Sequence, residues 1–267
     1  MKERSSFCVR VCRRLKLYVG YAYARFIFRR RIEGDPVYVV SCGHSGSSVL
    51  LNILGSHTSF YAVPGEVVLS GNRLAWSLLK RFDMATLING KKRWVEKTPK
   101  HIRSIEFLKE VSPRAKFIII IRDGRDVALS IKKRMGSVEF GAQRWVNDNL
   151  QGEAYWKDDS VKVIRYEDLV EKPRVILEEV LGFLDESFEP ECLNFHEKPK
   201  SYYSENVECP PDATQKHHKQ YRNWQINQPL FDGRGKWKQL SDEDKKIVKA
   251  VANQKLIEYG YVSDGEW

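Results

Sequence analysis

The stretch "VYVVSCGHSGSSVLLNIL", residues 37–54, most constrains what this chain can become. Val37-Tyr38-Val39-Val40-Ser41 is short and β-branched, the signature of a strand buried on both faces. Val49 to Leu54 is a continuous apolar run suited to a buried helix, and between the two lies the small-residue turn Gly43-His44-Ser45-Gly46-Ser47-Ser48. A strand that passes through a Gly/Ser turn into a helix presents free backbone N–H groups to an anion, so this loop is a candidate phosphate site. Two familiar loop chemistries miss by one residue. A nucleotide-hydrolysing phosphate loop needs lysine where Ser47 stands, and a serine-hydrolase elbow needs glycine at that position.

The rest of the chain repeats the alternation. The pattern predicts a short strand at Arg93-Trp94-Val95, then a polar turn at Glu96-Lys97-Thr98-Pro99 and a helix through Ile102, Ile105, Phe107 and Leu108. "KFIIII", residues 116–121, is the clearest buried strand and runs into "RDGRDVALSIKKR", a polar turn followed by a helix. Further helices are predicted at "AWSLLKRFDMATLING", "WVNDNLQGEAYW" and "KPRVILEEVLGFLD", with strand and turn at "VKVIRYEDL". A last helix, "SDEDKKIVKAVANQKLIEYGY", has Ser241 as its N-cap. "YAVPGEVVLSGNRL" reads as a loop that sets Glu66 just past the Pro64-Gly65 turn. Residues 195–235, rich in Pro, Asn, Gln, Tyr and His, read as a long loop or lid.

Strands separated by helices imply an α/β fold: a single domain with a mostly parallel central sheet flanked by helices and a phosphate-loop-like nucleotide-binding architecture. Ligands of such sheets sit beyond the carboxyl ends of the strands, where three polar turns fall: residues 42–48, 96–99 and 122–130. We expect residues 35–267 to form this domain and residues 1–34 a basic N-terminal helical extension. Residues 1–32 admit two readings, a helix packed on the domain and a basic amphipathic helix on an anionic membrane surface; their longest uncharged run is too short to span a bilayer.

The net charge of +10 favours an anionic partner but does not choose which. Acidic residues through the central region argue against an unbroken nucleic-acid track. Five cysteines without CxxC spacing suggest neither a disulfide framework nor a zinc site, and point to a reducing compartment. No His/Asp/Glu cluster carries metal-ligand spacing.

Arg122 ends the buried strand, and Ser130 and Arg134 share one face of the next helix at i, i+4 spacing, an arrangement able to clamp one phosphate. The alternative is a basic face whose arginines pair with Asp123 and Asp126 as surface ion pairs. Read together with the Gly43 loop, the segment resembles the sulfotransferases that use 3'-phosphoadenosine-5'-phosphosulfate (PAPS). In that family a Gly/Ser loop after the first strand binds the 5'-phosphosulfate, and an R-x-x-x-D-x-x-x-S segment binds the 3'-phosphate. "GHSGSSVL" and "RDGRDVALS" are the matching segments, and the likeness extends through "VEKTP", "IRYEDL" and "GKWK", over residues 36–261.

Within that family the chain is similar to the branch of tyrosylprotein and many bacterial sulfotransferases. The resemblance implies Glu66 of "PGEV" as general base and Lys97 of "EKTP" as a catalytic cation; His44 stands where the branch often has arginine, and is read from its residue type as a cation with a pH-dependent charge that faces the sulfate and 5'-phosphate with Lys97. It implies that Gly43, His44, Ser45, Gly46, Ser47 and Ser48 cradle the 5'-phosphosulfate, and that Arg122, Ser130 and Arg134 hold the 3'-phosphate. Tyr166 and Lys236 match a nucleotide-contacting tyrosine and a late phosphate-reaching lysine.

The co-substrate implied is PAPS, with 3'-phosphoadenosine-5'-phosphate (PAP) as product, a hydroxyl-bearing acceptor, and no metal. The acceptor expected is a carbohydrate or small metabolite in a bacterial cytoplasm, with the enzyme free or peripheral to the inner membrane face. A carboxylate base gains strength when desolvated, so Glu66 is expected to be made more basic by a closed, dry site. Two competing readings stand beside this one: a nucleotide-dependent kinase with Asp123 or Asp126 on magnesium, and a non-enzymatic basic anion-binding protein. His57, His101, His196, His217 and His218 are alternative bases, whereas Trp94, Trp145, Trp156, Trp224 and Trp237 read as core and loop packing.

Overall fold

A computed structural model describes residues 35–69, 75–206 and 218–267, together with Leu15 and Val19. The sheet has five parallel strands in the order β2-β3-β1-β4-β5, with β1 Val37–Val40, β2 Phe60–Ala62, β3 Arg93–Lys97, β4 Lys116–Ile121 and β5 Val161–Arg165. The helices are α1 Ser47–Leu54, α2 Ala75–Ile88, α3 Ile105–Val111, α4 Gly124–Met135, α5 Val138–Glu153, α6 Tyr166–Glu171, α7 Pro173–Phe183, α8 His218–Ile226 and α9 Asp242–Glu258.

Alternation along the central strands divides the core. Val37, Val39, Ile118, Ile120 and Ile164 face α1 and α7. Tyr38, Val40, Phe117, Ile119 and Ile121 face Trp94 and the apolar sides of α2 and α3. Both sets are nearly inaccessible to solvent, which is why these strands read as continuous apolar runs. A third cluster, Val127, Ile131, Trp145, Val248 and Leu256 among others, joins α4, α5 and α9 beside the sheet. Ser241 caps α9 by accepting from the Asp244 amide at 3.2 Å.

Several expectations are corrected. Residues 61 and 62 belong to β2, which three residues are too few to announce in the sequence. Glu96 and Lys97 are not a polar turn: they are the last residues of β3 and both are fully buried. The helix predicted there is split into a 3₁₀ turn, Pro99–Arg103, and α3. "YED" is the start of α6, not a turn.

Residues 195–235 are not one long loop. Their described part contains α8, fastened to α1 by buried asparagines: Asn52 Nδ2 donates to the Ile226 carbonyl at 2.7 Å and to Asn227 Oδ1 at 3.2 Å, while Asn227 Nδ2 donates to the Lys200 carbonyl at 2.9 Å and so ties in the segment before it. The Asn-rich composition of this region is therefore structural. Cys42 and Cys192 are buried and free; the other cysteines lie outside the described residues, as does the predicted N-terminal extension apart from Leu15 and Val19, both helical and exposed. No helix among the described residues is long and apolar enough to cross a membrane.

Candidate active site

β1 is the middle strand, flanked by β3 and β4, so the crevice over its carboxyl end is open to loops from both halves of the sheet. The chain leaves β1 through the Gly43 turn. His44 has φ 72° and Gly46 has φ 93°, two left-handed residues that fold the loop back on itself before α1. Left-handed backbone is common for glycine and uncommon for histidine, and strained residues of this kind gather at ligand-binding loops.

Among the described residues, none accepts a hydrogen bond from the backbone amides of residues 43–46. Ser45 is 1% exposed and its hydroxyl is buried without a partner, whereas Ser47 is held by the Ser41 hydroxyl at 3.1 Å and Ser48 lies 3.3 Å from the Tyr203 hydroxyl. Orphaned donors around a positive-φ turn form an anion-binding concavity.

The segments picked out in the sequence converge on this loop. His44 Nδ1 and Ser130 Oγ are 2.8 Å apart, which joins the loop directly to the middle of α4. Arg122 Nη1 donates to the His44 carbonyl at 3.1 Å and Nη2 to the Gly233 carbonyl at 2.6 Å, while the guanidinium sits 4.4 Å from the centroid of the Tyr166 ring. The Tyr166 ring closes against Gly46, and its hydroxyl donates to the Phe231 carbonyl at 3.0 Å. The 231–237 segment is tied down by Asp126, whose carboxylate accepts from the amides of Gly235 at 2.9 Å and Trp237 at 2.8 Å. Lys236 is exposed on that strap, over the Phe231 ring.

Asp123 caps α4 and pairs with Arg125 at 2.7 Å, and Asp126 lies 3.9 Å from Arg122; both carboxylates are buried, so these are not the surface ion pairs that the alternative reading supposed. Arg134 makes no hydrogen bond or ion pair with a described residue, and its charge is disfavoured by partial burial and then by Arg222.

Glu66 is linked to the loop through Tyr203, the ring whose hydroxyl lies beside Ser48. Its Oε1 accepts from Lys97 Nζ at 2.6 Å and from Arg222 Nη1 at 2.7 Å, and Arg222 arrives from α8. Both cations also lie over the Tyr203 ring, at 5.1 Å for Lys97 and 5.0 Å for Arg222. The placement of Glu66 traces to buried Glu96. That carboxylate accepts from Thr98 Oγ1 at 2.5 Å and lies 3.0 Å from His101 Nδ1. Thr98 Oγ1 in turn accepts from the Val67 amide at 2.9 Å, and His101 Nε2 accepts from the Leu69 amide at 3.1 Å, so the strand end of β3 anchors the backbone just beyond Glu66. His101 is thereby fixed in its Nδ1–H tautomer.

His101 and His57 both have their ring nitrogens engaged in these and similar structural bonds, His57 with the Ser187 carbonyl and the Ser59 amide. His196 lies beside Phe195, with Nδ1 buried and unpartnered. His217 lies outside the described residues; His218 opens α8.

Electrostatics corrects two expectations. Burial pushes the Glu66 carboxyl up, but Lys97 and Arg222 outweigh it and hold the group below its ordinary value, so the site favours the carboxylate over a more basic acid. Burial, reinforced by Arg134, Arg144, Arg222 and Arg122, drops His44 to about 4. At neutral pH His44 is therefore an uncharged hydrogen-bonding group and not the loop's cation. Arg222, Tyr203 and Arg144 escaped sequence reasoning: the first two lie in a segment without a readable pattern, and Arg144 lies on a helix with no motif.

Residues 75–190 match the model of the sulfotransferase family. That match spans less than half of the chain. Solved sulfotransferases share its fold. The sulfotransferase domain of the Synechococcus PCC 7002 olefin synthase is 17% identical, with 84% of this chain and 96% of that chain covered and a TM-score of 0.55. The sulfotransferase domain from the curacin biosynthetic pathway is 19% identical over 83% and 98% of the two chains, with a TM-score of 0.53. Mouse sulfotransferase SULT7A1, solved in complex with PAP, is 17% identical over 83% and 84%, with a TM-score of 0.57. No curated protein matches the chain. The family match begins after Glu66, so the Gly43 loop lies outside it and is defined by its geometry alone.

Proposed function

We propose that this protein transfers the sulfuryl group of PAPS to a hydroxyl acceptor, a carbohydrate or small metabolite, with Glu66 as general base. The observation that carries the reading is the 2.8 Å contact between His44 and Ser130, which makes one cradle of the Gly43 loop and α4. A cradle with free amides and an orphan hydroxyl at one end, and Ser130 with Arg134 at the other, suits a nucleotide bearing anions at both its 5' and 3' positions. Tyr166 closes on Gly46 of the same cradle, and we assign the phosphate-reaching role to Lys236 on the neighbouring strap. Arg122, with two donors engaged by backbone carbonyls, shapes the pocket and adds positive charge to it.

In the reaction the acceptor oxygen attacks sulfur in line and its proton passes to Glu66. The bond from sulfur to the bridging oxygen breaks, and the negative charge left on PAP builds beside Lys97. The kinase reading fares worse, because its proposed magnesium carboxylates are occupied: Asp123 by capping and by Arg125, Asp126 by two backbone amides. We place the enzyme in the cytoplasm, with residues 1–32 available for the inner membrane face.

Thermal denaturation tests the reading. PAP at a hundredfold excess over its Kd should stabilise the protein by about 2.7 kcal/mol, a rise of roughly 5–10 °C in Tm, and 5'-AMP at the same concentration should do far less. Equal shifts by both nucleotides would remove the 3'-phosphate assignment of Ser130 and Arg134.

The clamp on Glu66 predicts a pH effect. A base must be ionised to act, and Lys97 and Arg222 hold its pKa down, so activity should persist to low pH before falling on an acid limb. Arg222→Ala removes one of the two stabilising charges, raises the Glu66 pKa and moves that limb to higher pH. A pH–rate profile of the variant that superimposes on the wild type would show that Arg222 does not act on the base.

A further inference from the structure

Arg144 lies on α5, outside every motif recognised in the sequence. Its guanidinium rests directly over the first glycine of the loop: a Cβ at Gly43 would meet Nη2 at 2.9 Å, Cζ at 3.4 Å and Nη1 at 3.7 Å. Nε is held by Asp148 Oδ2 at 3.3 Å, and Asp148 is itself 1% exposed and also pairs with Arg103. The side chain is 19% exposed, so it is neither solvated freely nor shut in the core. Among the described residues, Nη1 and Nη2 donate to none. Two directed donors are thus presented at the edge of a loop whose own amides also lack acceptors.

The contrast with Arg122 is instructive. That guanidinium has Nη1 and Nη2 engaged by the His44 and Gly233 carbonyls and its Nε buried without a partner, so its two forward donors are unavailable without rearrangement. His44 is uncharged at neutral pH, which leaves the loop residues 43–48 with no cation of their own. Glycine at position 43 is also what lets a guanidinium approach the loop this closely.

We propose that Arg144 is a donor-binding residue, a guanidinium fork held by Asp148 over Gly43 that contacts the 5'-phosphosulfate end of the nucleotide. Charge-assisted bonds from a planar fork to phosphate or sulfate oxygens are the strongest hydrogen bonds a side chain offers, and anchoring by Asp148 restrains the fork before the ligand arrives. This rests on the PAPS reading above, and the experiment separates the two.

The measurement is the affinity of the full-length wild-type protein and of Arg144→Gln for PAP and for adenosine 3'-monophosphate, which lacks the 5'-phosphate, by calorimetric titration and competition. Arg144→Gln should weaken PAP roughly tenfold to a hundredfold. It should leave the affinity for adenosine 3'-monophosphate unchanged, and the Tm of the unliganded variant guards against misfolding. Gly43→Ala, which pushes the flexible guanidinium aside without removing it, should weaken PAP in the same selective way. Equal weakening of both nucleotides, or no weakening of PAP, overturns the inference about Arg144. Failure of the wild type to bind PAP at all counts instead against the PAPS reading.

Discussion

Replacing Glu66 by Gln is expected to lower kcat by about 10²–10⁴-fold, the range typical of a lost general base, while the Kd for PAP stays within about twofold. Gln keeps a carbonyl oxygen where Oε1 accepts from Lys97 and Arg222, so the variant retains the local geometry and loses only the capacity to take a proton. PAP release from PAPS, followed with a panel of phenolic, sugar and alcohol acceptors, measures the effect and ranks acceptor classes in one experiment. The two neighbouring candidates for the role are poorly placed to replace it, since His57 and His101 have both ring nitrogens engaged away from the loop. Wild-type turnover in Glu66→Gln would end the assignment.

Gly46→Ala is expected to be the most damaging single change to the loop. The residue sits at φ 93°, and a Cβ there would meet Tyr166 Cδ2 at 2.7 Å and Cε2 at 3.2 Å. Left-handed strain and overpacking each cost about 1–3 kcal/mol, so we expect a loss of roughly 2–6 kcal/mol. In a domain of this size that lowers Tm by roughly 5–25 °C. PAP should no longer protect the variant, because the ring that moves is the one stacked under Arg122. A second change, Tyr166→Ala, relieves the collision but not the backbone strain, so the double variant should be more stable than the two single losses added together. A Gly46→Ala protein with the wild-type Tm would show that the loop does not close on Tyr166.

Much of the fold was legible because its signals are local. Five apolar residues in "KFIIII", a Gly/Ser turn between two apolar runs, Pro173 at the first turn of α7 and Ser241 capping α9 each determine their own backbone within a few residues. The elements misjudged depend on distant partners. Glu96 and Lys97 look like a solvated turn until the buried Thr98 and His101 network and the carboxylate of Glu66 are seen to satisfy them. α8 looked like loop because its docking onto α1 uses asparagine pairs across some 170 positions, not an apolar stripe.

The sequence by itself determined that a strand would pass through a Gly/Ser turn into a helix and that Ser130 and Arg134 would share one helix face, because strand, turn and helix preferences act over short range. Only the tertiary structure decided that His44 is uncharged, that Glu66 is clamped by Lys97 and Arg222, and that Arg144 leans over Gly43. Those are long-range facts. Charge state and reach depend on burial and on charges carried by other elements, and no local pattern encodes which of them will meet.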